Sequence, residues 1–174
     1  MVITLYGEDT DRALELLYAL FACQYNVAER ARKDIAQYGL GMSEFAMLDV
    51  LYHKGSMPLT RVASRMHLSG GSTTYITDRL EKRGLIRRRV CSEDGRRQYA
   101  ELTMEGRQLF QEIFPKHADE IRKTFHALSP NEQEEITFLL QKLSASLSAR
   151  VNLKDIGILS TQGDLNDKNC DNLP

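Results

Sequence analysis

The chain has 174 residues, 42% of them hydrophobic and 27% charged, with a formal net charge of −1. Those totals exclude a disordered or low-complexity chain and suit one globular domain with room for an added element. Three well-separated cysteines, Cys23, Cys91 and Cys170, with no C-x-x-C pair, exclude a disulfide scaffold and fit a reducing cytoplasm. The opening Met1-Val2-Ile3-Thr4-Leu5-Tyr6-Gly7-Glu8-Asp9 has neither a basic start nor a long apolar run. Neither a signal peptide nor a membrane span is expected.

Near-neutrality hides a segregation of charge. Between Lys54 and Arg97 stand eleven Lys/Arg against four acids, a surplus of seven, so the remainder carries a deficit of eight. A basic centre between acidic flanks is the pattern of a nucleic-acid reader with a separate assembly region, or of a solvated charged face.

Residues 10 to 38 read as a long helix, with Leu14, Leu17, Phe21, Tyr25 and Ala28 at three- and four-residue steps. Asp9 or Thr10 is its expected cap, and Tyr38-Gly39-Leu40-Gly41 ends it. Ser43 is the expected cap of a second helix to about Lys54, with Phe45, Leu48, Leu51 and Tyr52 inward and Gly55-Ser56-Met57-Pro58 as its break. Thr60 would cap a short third helix through Met66. After His67-Leu68-Ser69, Ser69 caps a fourth through Arg83, closed by Gly84 and buried along Ile76 and Leu80. Leu85–Ser92 and Gln98–Leu102 form paired strands around a turn at Glu93-Asp94-Gly95-Arg96. Thr103 caps a helix to about Leu128, with Phe110, Ile113, Phe114, Ile121 and Phe125 inward and a kink expected at Pro115. Ser129-Pro130-Asn131-Glu132 is a capping box opening a last helix to about Val151, with Ile136, Leu139, Leu140, Leu143 and Leu147 on one face. The polar tail from Asn152 is expected to be loose.

Long helices at both ends of a small chain have little left to pack on, which points to an intermolecular helical interface. The expected organisation is an N-terminal dimerisation helix (1–40), a DNA-binding lobe (41–103), C-terminal dimerisation helices (104–151) and a flexible tail (152–174).

Three motifs are specific when taken together. They are Asp78-Arg79-Leu80-Glu81-Lys82-Arg83-Gly84-Leu85-Ile86, the Asp94-Gly95-Arg96 of the hairpin, and Leu102-Thr103-Met104-Glu105-Gly106. With the flanking helices, residues 10 to 150 resemble the MarR family of bacterial winged helix-turn-helix regulators. The resemblance implies a mostly α fold, with four helices, a two-stranded wing and long terminal dimerisation helices. It also implies a homodimer on double-stranded DNA with an inverted-repeat operator. The chain departs from the family at Leu40-Gly41-Met42-Ser43-Glu44-Phe45, where a threonine and a proline-glutamine pair are common.

The fourth helix should enter the major groove, presenting Gly70, Gly71, Ser72, Thr73, Thr74 and Tyr75. Small residues let backbones approach, and hydroxyls bond phosphates or base edges. Ser72 and Thr74 lie away from Ile76 and Leu80 and are expected to make contact, while Ser69 caps. Arg79 should reach phosphate, and the family places an arginine there. The resemblance makes Arg96 the wing-tip arginine, with Arg97 beside it and Asp94 steadying the wing. An arginine fork suits the minor groove. Alternation along a strand turns Arg88 away from Arg87 and Arg89.

The resemblance further implies a small phenolic or amphipathic effector between arms and lobe, for which Tyr18, Tyr25, Met47 and His53 are the candidate lining. Cys91 is the better-placed candidate for oxidation, and Cys23 is expected to be a small buried hydrophobe. His53, His67, His117 and His126 show no metal spacing and no glycine-rich phosphate loop follows a strand, so no metal, cofactor or enzyme site is expected. Two functions compete: a DNA-binding transcriptional regulator, most simply a repressor, and a winged-helix module whose basic hairpin docks an acidic protein.

Overall fold

The computed structural model describes residues 6–90 and 97–147. Its elements are α1 (Glu8–Ala36), α2 (Met42–Lys54), β1 (Met57–Pro58), α3 (Leu59–Arg65), α4 (Gly70–Lys82), β2 (Ile86–Val90), β3 (Gln98–Leu102), α5 (Met104–Thr124) and α6 (Pro130–Leu147). This is the expected winged helix-turn-helix between two helical arms, with one addition. The sheet is three-stranded and antiparallel in the order β1-β3-β2. Met57 pairs with Ala100 and Pro58 with Tyr99, so the stretch read as a helix break is also an edge strand. Proline is tolerated there because an edge strand needs fewer donors.

The core of the lobe is assembled from one face of each element. Leu48 and Leu51 of α2, Val62 of α3, Leu80 of α4, Ile86 of β2 and Phe110 of α5 are almost fully buried. Phe110 stands at the centre of an aromatic group, with ring centroids 5.3 Å from Phe45, 5.0 Å from Tyr52 and 5.4 Å from Phe114. Such packing adds to the stabilisation from burial itself.

Several caps follow the sequence and several do not. Ser69 accepts from the Ser72 amide at 3.2 Å, and Thr103 from the Gly106 amide at 3.0 Å. At α6, Glu132 accepts from the Ser129 amide at 2.7 Å, and the Glu132 amide reaches the Ser129 hydroxyl at 3.4 Å. The other expected caps are corrected. Helix α1 starts at Glu8 behind Gly7, so Asp9 and Thr10 are already helical. Helix α2 starts behind Gly41, whose amide donates to Glu44 at 2.7 Å, leaving Ser43 inside the helix. Pro58 precedes α3 without a side-chain cap, because the β1 pairing delivers the chain to a helix starting before Thr60. Helix α5 is continuous through Pro115. Proline removes one hydrogen bond there, but the helix is not divided.

The arms meet the lobe over a small area. Only Ala31, Asp34 and Ile35 of α1 are buried, and no residue of α6 is. Asp34 accepts from Gln37 at 2.8 Å and pairs with His117 of α5 at 2.6 Å. The His117 ring packs on Phe45 with centroids 4.6 Å apart. This buried joint connects α1, α2 and α5, and Arg30 of α1 pairs with Glu120 of α5 at 3.7 Å nearer the surface.

At the far side of the lobe, α5 begins against the turn that ends α4. The Thr103 amide donates to the Leu85 carbonyl at 3.1 Å, and the Thr103 hydroxyl donates to the Gly84 carbonyl at 2.6 Å. A Cβ on Gly106 would stand 1.9 Å from the Leu85 oxygen and 2.8 Å from its carbon. The glycine of the L-T-x-E-G motif is thus required by a helix pressed onto a backbone carbonyl. Gly106→Ala must separate the two, and it is expected to cost about 1–3 kcal/mol, as overpacking does. A lowered urea midpoint with an unchanged slope checks this, and a midpoint equal to the parent's would show that the junction yields freely.

Candidate nucleic-acid interface

Helix α4 divides cleanly into two faces. Thr73, Ile76, Thr77 and Leu80 are buried, while Gly70, Gly71, Ser72, Thr74, Tyr75, Asp78 and Arg79 are exposed. The three-and-four spacing that buries the first set must expose the second. Thr73 is therefore corrected: it is 2% exposed, and its hydroxyl donates to the Ser69 carbonyl at 3.0 Å. The Thr74 hydroxyl donates to the Gly70 carbonyl at 3.0 Å, which leaves its oxygen able to accept from a partner. Ser72 lies 2.9 Å from the Ser69 hydroxyl. A Cβ on Gly70 or Gly71 would meet nothing within 4 Å. Neither glycine has positive φ. Glycine weakens a helix, so its use twice here has no reason inside the chain.

Next to this face, a cleft of about 590 Å³ opens between the first turns of α2 and α4, lined among others by Met42, Ser43, Glu44, Gly71, Ser72, Tyr75 and Arg79. Tyr75 is 61% exposed, and the Arg79 guanidinium lies 5.8 Å from its ring centroid. The Arg79 Nε is 3.2 Å from the buried Glu44 carboxylate. An arginine expected simply to reach outward is thus held from two sides. The sequence reading missed Glu44, Met42 and Ser43, which border the recognition helix only through the packing of α2 on α4.

The basic strand is similarly organised. Arg88 turns away from its neighbours as alternation requires. It reaches back to Asp78 and Glu81 of α4, and its amide donates to Glu81 at 3.0 Å. Burial works against its charge, but the hydrogen bonds that it donates to Asp78 and Glu81, with their negative charges, outweigh burial and raise its pKa above the ordinary arginine value. Arg88 thus fastens the wing to the recognition helix. Arg87 pairs with Glu101 across the strand pair, and Arg89 lies 5.8 Å from the Tyr99 ring centroid. Arg97 is exposed where the chain enters β3. Asp94, Arg96 and Cys91 lie outside the described residues.

The candidate effector residues do not share one crevice within the chain. Met47 is 0% exposed, and its sulfur lies 3.7 Å from the Thr77 hydroxyl inside the core. Tyr18 and Tyr25 stand exposed on α1. His53 lies 3.3 Å from Asp49, whose carboxyl is pushed up by burial against the opposing pull of His53. Cys23 is exposed, not buried, because the described part of the chain buries α1 only near its C-terminal end. Among the described residues, no three His, Cys, Asp or Glu side chains are grouped to hold a metal, and no helix is long and apolar enough to cross a membrane.

Comparison with known proteins agrees with this architecture. The MarR family model matches residues 40–97, the stretch from the end of the α1–α2 turn to the start of β3. The chain is similar to the HTH-type transcriptional regulator MhqR of Bacillus subtilis, 36% identical over 77% of this chain and 92% of that protein. It is also 36% identical to the regulator YkoM of the same organism, over 82% of this chain and 92% of that one. Its fold is similar to that of a MarR family transcriptional regulator from Streptomyces coelicolor solved in complex with DNA, with TM-score 0.71 and 22% identity over 77% of this chain and 90% of that one. Near-full-length identity at this level, a matching family model and the winged helix-turn-helix with its arms lead to one conclusion: this chain belongs to the MarR family of transcriptional regulators.

Proposed function

We propose that the chain works as a homodimeric repressor on an inverted-repeat operator, in the compartment that holds the DNA. The observation that carries this reading is the outer face of α4. Two glycines that nothing in the chain requires stand beside Ser72, Thr74 and Tyr75, where a duplex backbone would come closest. Recognition helices contact bases with their N-terminal residues. The surplus of basic residues between Lys54 and Arg97 supplies the phosphate attraction. By resemblance Arg96, with Arg97 beside it and Asp94 steadying the turn, reads the minor groove.

The dimer is supported by the arms. Leu16, Leu17, Tyr18, Phe21 and Tyr25 of α1 and Ile136, Phe138, Leu139, Leu140, Leu143 and Leu147 of α6 are all exposed in the single chain. Contiguous apolar surface on that scale marks an interface. Release by a small phenolic or amphipathic effector follows from the resemblance, and Cys91 is the chain's own candidate for oxidation. Of the four effector candidates, Tyr18, Tyr25 and His53 are exposed and able to meet a ligand, while Met47 is core.

Light scattering is expected to give twice the mass of the chain. Footprinting on the chain's own upstream DNA should show two-fold protection, with half-site centres about ten base pairs apart or a multiple of that. A monomer protecting one asymmetric half-site would overturn the dimeric reading. Arg96→Ala should leave mass and unfolding midpoint unchanged and weaken operator binding by about 1–3 kcal/mol. The dependence on salt should also become shallower, since fewer counterions are released. Titrations on operator and scrambled DNA at several salt concentrations check this. Parent-like binding at every salt would instead favour a basic hairpin that docks an acidic protein.

A further inference from the structure

We propose that Glu44 is a positioning residue for operator recognition: buried in α2 behind Arg79, it aims that arginine of the recognition helix. The inference rests on the DNA-binding reading of α4. The Glu44 side chain is 4% exposed, an unusual place for a carboxylate. Burying that charge is unfavourable unless it is paired and hydrogen-bonded. One oxygen accepts from the Gly41 amide at 2.7 Å and lies 3.8 Å from Arg83 Nη1. The other lies 3.2 Å from Arg79 Nε, an ion-pair contact without hydrogen-bond geometry, so Arg79 supplies its charge partner and not a hydrogen bond.

The two arginines are one helical turn apart on α4 and so share a face, but they are used differently. Arg83 also donates to the Gly39 carbonyl at 2.9 Å, tying the end of α4 to the α1–α2 turn, and its side chain is 34% exposed. Arg79 is 52% exposed, with its Nε turned to Glu44 and its guanidinium near the Tyr75 ring. A guanidinium drawn toward the carboxylate on its Nε side keeps its outer nitrogens for a partner, and a fork oriented beforehand loses less freedom on binding. The carboxylate also offsets part of the positive charge that any phosphate would attract. Glu44 should therefore favour the right sequence over the wrong one, and do little for DNA in general.

The sizes of the two effects separate this role from a structural one. Glu44→Gln keeps one carbonyl oxygen, able to accept from the Gly41 amide, but loses the charge that pairs with Arg79. Its ratio of operator to scrambled-DNA affinity is expected to fall about tenfold, with scrambled-DNA affinity equal to or above the parent's. Glu44→Ala should lower the ratio further. In an Arg79→Ala background, Glu44→Gln should change nothing more, because coupled residues fail to add. All titrations are read on the full-length chain, scaled to the folded fraction from circular dichroism. If Glu44→Ala fails to fold, Glu44→Gln carries the test alone. A ratio unchanged in Glu44→Gln while Arg79→Ala lowers it overturns the positioning role and leaves the DNA-binding face standing. A ratio unchanged in Arg79→Ala overturns both the role of Arg79 in recognition and this inference. An equal loss on both DNAs that persists without Arg79 would make Glu44 purely structural.

Discussion

The structure turns on the contact between the Leu85 carbonyl and the first turn of α5. Gly106 lies so close to that oxygen that no side chain fits between them, and Thr103 binds the neighbouring Gly84 and Leu85 groups. Four elements meet there: the end of α4, the start of β2, the end of β3 and the start of α5. Helix α4, the wing and α5 therefore share one corner. A displacement of α5 has to reach α4 through this corner or through the core around Phe110. Packed interiors transmit such shifts because they deform little.

A second feature is the use of acids on a basic lobe. Asp78 and Glu81 hold Arg88, Glu101 holds Arg87, and Glu44 lies against Arg79 and Arg83. Exposed ion pairs such as Arg87–Glu101 add little to stability, so their value is chiefly orientation. The charge surplus remains, but its geometry is set. Arg88 is committed to joining wing and helix, so the three consecutive arginines of β2 are not equivalent.

The arms follow a different logic. A 29-residue helix contributes only three buried residues to its own lobe, gathered near its C-terminal end at the Asp34–His117 joint. The large apolar side chains on the rest of α1 and on α6 stand exposed among the described residues. Isolated amphipathic helices gain most of their stability from packing, which is why these segments need a second surface.

What the sequence by itself determined is what is local. Helical spacing separates Ile76 and Leu80 from Ser72 and Thr74 over a few residues. Ser69, Thr103 and the Ser129–Glu132 box cap helices three residues away. Alternation turns Arg88 from its neighbours. These interactions close within one turn or one strand, so their partners are legible side by side. The glycine of L-T-x-E-G was legible as a motif, but its cause, the Leu85 carbonyl, was not. Only the tertiary structure decided the rest: the pairing of Met57 with Ala100, the burial of Thr73 and Met47, the exposure of Cys23, and the acids that Arg79 and Arg88 face. Each depends on how separate elements pack, through contacts such as Glu44 with Arg79 or Asp34 with His117. Residue type and periodicity mark which side chains must be buried or paired, and the packing of distant elements selects the partner.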